Sequence, residues 1–582
     1  MSELTPNQPF GKPVFQHFHY FVLGCAGLIY FLITLGDFAF RTGIGLDLSQ
    51  WLFAPSVVMV AIAGVFAWRS YRSQRWISRP IFISVLVIGM QVVLAFQRLS
   101  PGASSGVITA YATSALLVHA LVLTSTVVAF RLAGEKRTSI SFESPFARLS
   151  LLVVGMTFLT LVTGAVETSS GAASVCQGWL RCGETWIPEN SLEWIHVIHR
   201  LSVGLNGVLM LTLFIRAWQT QRFHTPILVL STSGFFLFLS QGLVGAWIST
   251  QNNSIEFVGL HSATATALWA VLTVLAIQAG MSTPVTTPDV YSYTDWREKA
   301  KDFLVLTKPI IVLLLLVTTL GGMIVGAGAL PSFPIIFWTL VGGGLAAGGS
   351  GAINQYIDRD LDTLMRRTAK RPLAARRLTP AEGLAFGVGL CLLAFYLLAV
   401  FTNLLAAMLS VIGMFYYVWV YSILLKRTTV QNIVIGGGAG AIPPLVGWAA
   451  ATGSLSVAAG LLFLIIFFWT PPHFWALALL RSKEYESGGI PMMPVVRGER
   501  ETRKQMLIYS IELVILTLIA PLVGIGSGIY FFSAAALGLI LLAMVWKLWK
   551  HGYSPKLSYR IYRYTSMYLA FIFLAMVVDA LV

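Results

Sequence analysis

The sequence predicts an all-α polytopic membrane protein of about 17 transmembrane helices, eight before a polar linker and nine after it. Three observations carry this. Hydrophobic residues make up 56% of the 582 and charged ones only 11%, too little polar surface for a soluble chain of this length. Continuously apolar runs of about 20 residues, long enough to cross a hydrocarbon core as helices, recur from end to end. The runs do not alternate apolar with polar residues, so helices are favoured over a barrel.

The first eight spans are expected at 19–39, 51–69, 80–99, 107–130, 149–166, 192–215, 226–248 and 258–279. The first begins near Tyr20 with no small-residue cleavage site behind it, and reads as a retained span rather than a signal peptide. The stretch "MSTPVTTPDVYSYTDWREKAKD" (281–302) then breaks the pattern with two prolines and several charges, as a domain linker does. Nine more spans are expected at 303–326, 334–355, 381–401, 404–425, 432–450, 457–479, 506–525, 530–546 and 564–581. Domains are therefore placed at 1–294 and 295–582.

Charge tests this layout. With a cytoplasmic N-terminus, the inside loops 69–79, 131–148, 216–222, 297–308, 359–377, 426–427, 481–504 and 547–563 hold nearly all the Lys and Arg. The net charge of +15 thus reads as membrane topology, not as a nucleic-acid surface. The expected location is the cytoplasmic (inner) membrane, in contact with the lipid bilayer. The loop "VCQGWLRCG" falls outside, where Cys176 and Cys182 can be bridged in an oxidising compartment. Cys25 and Cys391 lie inside apolar runs and read as packing residues. Residues 1–294 carry 15 Lys+Arg and 11 Asp+Glu (15 − 11 = +4), and 295–582 carry 24 and 13 (24 − 13 = +11). The excess in the second half suggests anionic chemistry there.

That excess surrounds "AINQYIDRDLDTLMRRTAKRPL" (352–373), on the expected cytoplasmic side. Asn354, Asp358 and Asp362 are spaced four apart and share one helical face. Carboxylates on one face repel unless a cation joins them, and hard oxygen ligands suit Mg2+, which usually shares its shell with substrate phosphates. Arg366, Arg367, Lys370 and Arg371 follow, and guanidinium forks bind phosphate oxygens. Asp360 points off the common face and reads as solvated. A charged loop that merely holds topology would explain the arginines but not the aspartate spacing. Acid face and basic tail together read as a magnesium-diphosphate site.

The motif "NQYIDRDLDTLMRRTAKRPL" resembles the first aspartate-rich motif of the UbiA-type intramembrane prenyltransferases. "LTKP" (306–309), "YSILLKRTT" (421–429), "GGGAGAIPPLVGWAAATG" (436–453), "WTPPHFWALAL" (469–479) and "GGIPMMPVVRG" (488–498) narrow the resemblance to its protohaem IX farnesyltransferase (haem O synthase) branch, over about 300–582. The resemblance implies transfer of a farnesyl group from farnesyl diphosphate to a vinyl group of haem b. It places magnesium diphosphate on Asn354, Asp358 and Asp362, with Asp358 and Asp362 as metal ligands. Arg366, Arg371, Lys426 and Arg427 would contact phosphates or haem propionates. The second acidic patch, usually aspartate-rich, appears as "RSKEYESGGIP", with Glu484 as its carboxylate and Tyr485 beside it. His473 reads either as a packing residue or as a haem ligand or orienter.

The first half carries "SLEWIHVIHRLSVG", with Glu193, His196, His199 and Arg200, and "FVGLHSATATALW", with His261. Two intramembrane histidines from different helices can hold one haem iron from both sides; paired packing histidines are the plain alternative. "VTGAVETSSGAASVCQGWLRCG" followed by "HVIHRL" resembles haem A synthase, a family of two four-span repeats that oxidises haem O. The resemblance implies haem b or haem O bound here, and its cysteine pair corresponds to Cys176 and Cys182. Two departures stand out. Span 51–69 has no histidine, leaving only His119 in the first repeat, and His196 stands where the family favours glutamate. The domain therefore either oxidises haem O to haem A or only binds and hands over haem. Both halves would serve haem O and haem A synthesis for terminal oxidases, with oxidase assembly factors as partners. The alternatives are a UbiA-type prenyltransferase for a quinone precursor or chlorophyllide, and a non-enzymatic haem carrier.

Overall fold

The apolar runs fold as helices because a backbone in hydrocarbon must satisfy its own hydrogen bonds. The computed structural model describes residues 17–42, 46–98, 100, 102–134, 140–176, 187–250, 255–282 and 295–582, and among these all regular structure is helical. The chain divides into two units, Met1–Val285 and Thr286–Val582.

The first unit contains α1 (Phe18–Thr42), α2 (Leu46–Ser70), α3 (Arg75–Arg98), α4 (Ser105–Gly134), α5 (Pro145–Ser170), α6 (Ser191–Thr220), α7 (Thr225–Thr250) and α8 (Ile255–Met281). Local chemistry sets the ends. The Ser144 hydroxyl accepts from the Ala147 amide at the start of α5, and Gly171 ends that helix at φ 79°. The Asn190 side chain accepts from Glu193 N at the start of α6. The unit also repeats itself. The turn bonds Tyr71 N to Ala67 O and Gln74 N to Tyr71 O recur as Gln221 N to Ala217 O and His224 N to Gln221 O. Each partner lies 150 residues further on, so the α2–α3 and α6–α7 turns are counterparts, and α4 and α8 begin at the same offset, at Ser105 and Ile255.

The second unit contains α9 (Trp296–Leu306), α10 (Pro309–Ala327), α11 (Phe333–Asp362), α12 (Pro380–Phe401) and α13 (Leu404–Phe415), which runs into a π-helix at Tyr416–Leu425. Three short pieces, α14 (Asn432–Gly436), α15 (Gly438–Ala441) and α16 (Pro443–Thr452), make one broken span. Then come α17 (Val457–Leu480), α18 (Ser482–Ser487), α19 (Met493–Val496), α20 (Gly498–Leu518), α21 (Gly528–His551) and α22 (Pro555–Leu581).

Among the described residues, 16 helices are long and apolar enough to cross a membrane; this is a multi-pass membrane protein. The segment expected as a further span at 506–525 lies mostly on α20, which is not among the 16. It opens with Glu499, Arg500, Glu501, Arg503 and Lys504 and carries Glu512 midway. The run expected at 303–326 is really two helices. The chain breaks at Thr307–Lys308, where Lys308 takes φ 56° before Pro309. The run expected at 334–355 continues unbroken to Asp362. Thirty residues of α-helix span about 45 Å, longer than a hydrocarbon core of about 30 Å. The last turns of α11, with the aspartates, therefore rise to an end of the span.

Glycines seat α11. A Cβ on Gly349 would lie 2.8 Å from Gly387 O and 2.7 Å from Cys391 Sγ, and one on Gly387 would lie 2.9 Å from Gly349 O. The backbones of α11 and α12 touch there, the small-residue packing that membrane helices use. Asn354 follows little more than one turn later. We expect Gly349→Val to destabilise the second unit by about 1–3 kcal/mol through overpacking, read as a lowered Tm in detergent. Gly460→Ala, which meets nothing within 4 Å, should leave Tm unchanged.

Candidate active site

The four-residue spacing puts Asn354, Asp358 and Asp362 on one face of α11, and all three are buried. Asn354 Nδ2 donates to Asp358 Oδ2 at 2.9 Å, making the ladder continuous. Asp360 points away, 85% exposed, beside Arg359, as its position on the helix predicts.

Each rung has its own cation or donor. Lys308 Nζ donates to Asn354 Oδ1 at 2.6 Å and to the Tyr417 hydroxyl at 3.1 Å. Lys426 Nζ pairs with Asp358 Oδ2. Arg371 Nη1 donates to both Asp362 oxygens at 2.9 and 2.8 Å. Ser422 Oγ accepts from Asn354 Nδ2 at 2.9 Å and donates to Tyr417 O at 2.8 Å. These partners come from three distant segments. Lys308 is delivered by a left-handed residue, a conformation that costs a non-glycine residue roughly 1–3 kcal/mol. Tyr417 and Ser422 lie in the π-helix and Lys426 ends it; such wide turns recur at functional sites. Arg371 is supplied by the loop after α11.

The second acidic patch approaches through Arg367. Its guanidinium lies 5.3 Å from the Tyr485 ring centre, and Arg367 Nε is 3.7 Å from Glu484 Oε2. Arg481 Nη1 lies 3.4 Å from the same oxygen. Tyr485 is buried among Leu361, Met365 and Ile433, so it supports the end of α11 from below. Arg366 and Arg427 are exposed and are not brought to the ladder in this structure. His473 is buried on α17, its Nδ1 2.9 Å from Thr565 Oγ1, its ring stacked on Trp469 at 4.4 Å and Tyr562 at 4.7 Å. That is the packing arrangement, with one ring nitrogen engaged.

Magnesium is implied by this chemistry, and one observation tests the fit. Asp358 Oδ1 is buried without a hydrogen-bond partner, an acceptor that a cation would satisfy. Among the described residues no three His, Cys, Asp or Glu gather as a cage. Two carboxylates with substrate oxygens are nonetheless the usual magnesium shell. The residues fit the ion as a partner of diphosphate.

Sequence reasoning missed Lys308, Tyr417, Ser422 and the part played by Arg367. The signal for Lys308 was available in "LTKP": a lysine wedged before a helix-starting proline in an apolar run.

The first unit encloses a cavity of about 1430 Å³. His199 on α6 and His261 on α8 both line it, as do His196, Arg200 and Glu167. Each of the two histidine rings lies over a glycine of the preceding helix: a Cβ on Gly164 would be 3.1 Å from His199 Cε1, and one on Gly245 3.1 Å from His261 Cε1. Thr163 Oγ1 holds His199 Nδ1 at 2.9 Å. Glu167 on α5 pairs with His196 Nδ1 and stands 3.7 Å from His199 Nε2. A carboxylate thus reaches this site from α5 rather than from α6, whose Glu193 caps its own helix instead. His119 is buried, with its ring 6.3 Å from that of Tyr30, and the cavity lining takes Leu116 and Val118 from α4 but not His119. At the 150-residue offset the counterpart of His261 is Tyr111, which does line the cavity, under the guanidinium of Arg98 at 4.8 Å. Cys176 is disulfide-bonded; Cys182, its expected partner, lies outside the described residues.

Two families match the chain, one inside the second unit and one across the boundary between the units. The UbiA prenyltransferase family matches residues 315–572. The cytochrome oxidase assembly protein family (COX15-CtaA) matches 189–364, beginning in the first unit and running into the second. Protoheme IX farnesyltransferase of Roseiflexus castenholzii is 36% identical over 535 residues, covering 87% of this chain and 98% of that protein. The protein of that name from Chloroflexus aurantiacus is 37% identical over 557 residues, 93% of this chain and 91% of its own. The one from Symbiobacterium thermophilum is 48% identical over 280 residues, 48% of this chain but 94% of its own.

Arg371→Ala should leave the Asp362 carboxylate buried without its charged donor. We expect a loss of about 1.5–3 kcal/mol, visible in thermal unfolding, and partial recovery in Arg371→Lys.

Proposed function

This chain belongs to the protoheme IX farnesyltransferases, an enzyme family of the UbiA prenyltransferase type, and on that premise we propose that it converts haem b to haem O with farnesyl diphosphate as donor. The observation that carries the reading is the buried ladder of Asn354, Asp358 and Asp362, faced by Lys308, Lys426 and Arg371 at the end of α11.

Asp358 and Asp362 hold magnesium against the diphosphate. When bound, magnesium neutralises charge on the departing group. Lys308, Lys426 and Arg371 stabilise the remaining negative charge as it develops, the largest part of the rate in such sites. The allylic C–O bond breaks and its electron pair leaves with diphosphate. The vinyl π electrons of haem b form the new C–C bond. Water captures the resulting cation beside the ring and loses a proton, giving the hydroxyethylfarnesyl side chain. Glu484 and Arg367 close the diphosphate side, with Tyr485 as their support; Arg366 and Arg427, exposed on the same edge, meet incoming phosphates or propionates. His473, packed between Trp469 and Tyr562, serves the helix packing of α17 and α22. The ladder faces the cytoplasm of a cell inner membrane, and the Cys176–Cys182 loop faces outward.

In the first unit, His199 and His261, which line one cavity, would be the residues to hold haem there. Whether this unit oxidises haem O decides if haem A or haem O leaves the protein for oxidase assembly.

Incubation of the purified chain with haem b, farnesyl diphosphate and Mg2+, followed by chromatography of haems, should yield haem O. A prenylated quinone precursor or chlorophyllide in place of haem O would overturn the reading. Asp358→Ala and Asp362→Ala should each lower turnover about 10²–10³-fold. A haem carrier would instead keep its transfer rate in both.

His199→Ala or His261→Ala should abolish the absorption of haem copurifying with the first unit, while His119→Ala should retain it. Haem A in extracts of expressing cells would establish oxidation.

A further inference from the structure

The two carboxylates of the ladder are already balanced one for one. Asp358 is wholly buried, and its Oδ2 is held by Lys426, whose side chain is only 13% exposed. Asp362 is held by Arg371 through both oxygens. Asn354 is held by Lys308, itself fixed on Tyr417. A divalent cation entering alone would meet two carboxylates already outnumbered by three cations (3 − 2 = +1) and compete with an ammonium for Asp358, at a site of low dielectric where such a conflict is costly. Magnesium arriving with diphosphate brings net negative charge, which offers Lys426 a replacement acceptor.

The three donors are not equally able to move. Arg371 makes two bonds to one carboxylate. Lys308 bridges two partners. Lys426 makes one contact to a carboxylate, from a flexible stem with rotatable donors. Beside it, Asp358 Oδ1 already lacks a partner. Resting on the diphosphate reading above, we infer that Lys426 is an exchangeable counter-ion. It releases Asp358 to the metal and takes a diphosphate oxygen, so metal and prenyl diphosphate bind together and the metal does not load first. Arg371 and Lys308 stay in place and hold the ladder's shape during the exchange. The protein gains order of assembly from this. Without a diphosphate the carboxylates remain neutralised and their geometry is kept by protein cations.

The test is metal affinity of the full-length protein in detergent, read by electron paramagnetic resonance of Mn2+ with and without inorganic diphosphate. The original chain should bind Mn2+ at least about tenfold more tightly when diphosphate is present. Lys426→Met should bind Mn2+ alone about tenfold more tightly than the original chain, closing most of that gap. Lys426→Gln carries the same expectation if the methionine variant does not fold, and Lys426→Arg should keep the original gap. A gain of affinity is not what a merely structural lysine would produce on removal. If Lys426→Met and Lys426→Gln bind Mn2+ alone as weakly as the original chain, while Asp358→Asn abolishes Mn2+–diphosphate binding, the exchange is wrong and the diphosphate site stands. If Asp358→Asn leaves Mn2+–diphosphate binding intact, the site itself is wrong and the exchange goes with it.

Discussion

A carboxylate at the end of a membrane helix must be given a counter-charge, and the second unit is arranged around that requirement. Asp358 and Asp362 leave the span at the end of α11 fully buried. Unpaired, two buried carboxylates would destabilise the helix end. Lys426 and Arg371 remove that cost from two directions. The rest of the unit can be seen as what it takes to bring those cations there: a broken helix that turns Lys308 inward, a π-helix that ends on Lys426, and a loop that folds Arg371 back onto the acid it follows by nine residues. Polar groups that neutralise a buried acid are also the groups that can neutralise a departing diphosphate. On the proposed reading, stability and chemistry use the same side chains.

Close backbone packing makes this possible. Where Gly349 meets Gly387, two helices approach to contact, and the polar end of α11 is held in one register against α12. Below it, Leu361, Met365 and Tyr485 form an apolar floor. Arg367, in the loop after α11, lies over the Tyr485 ring and reaches Glu484, which ties that loop to the second acidic patch. The two motifs are bridged, not fused.

The first unit solves a related problem with histidines. His199 and His261 are polar groups inside a membrane span, and each is seated on a glycine of the neighbouring helix. The likeness of the two repeats is still visible in the hydrogen bonds of the α2–α3 and α6–α7 turns. The two copies differ at corresponding positions, His261 in one and Tyr111 in the other, and both residues line the same cavity.

The helical membrane class, the break between two sets of spans, and the shared face of Asn354, Asp358 and Asp362 could all be read from the sequence. Length, apolarity and a period of four are local properties, and a helix in hydrocarbon has no other way to satisfy its backbone. The outward direction of Asp360 followed from the same period. The motif "LTKP" marked Lys308 but not its partner: Lys308 and Ser422 reach Asn354 from 46 and 68 residues away and Tyr417 holds Lys308 from 109, and only helix packing determines which distant side chains meet. Nor could the sequence be read for the choice of Arg367 over Arg366 for the Tyr485 ring, or Glu167 as the carboxylate beside His196, or Tyr111 in the place of His261. Spacing along one helix is a property of the chain; which cation faces which acid is a property of how helices cross, and here only the tertiary structure decided it.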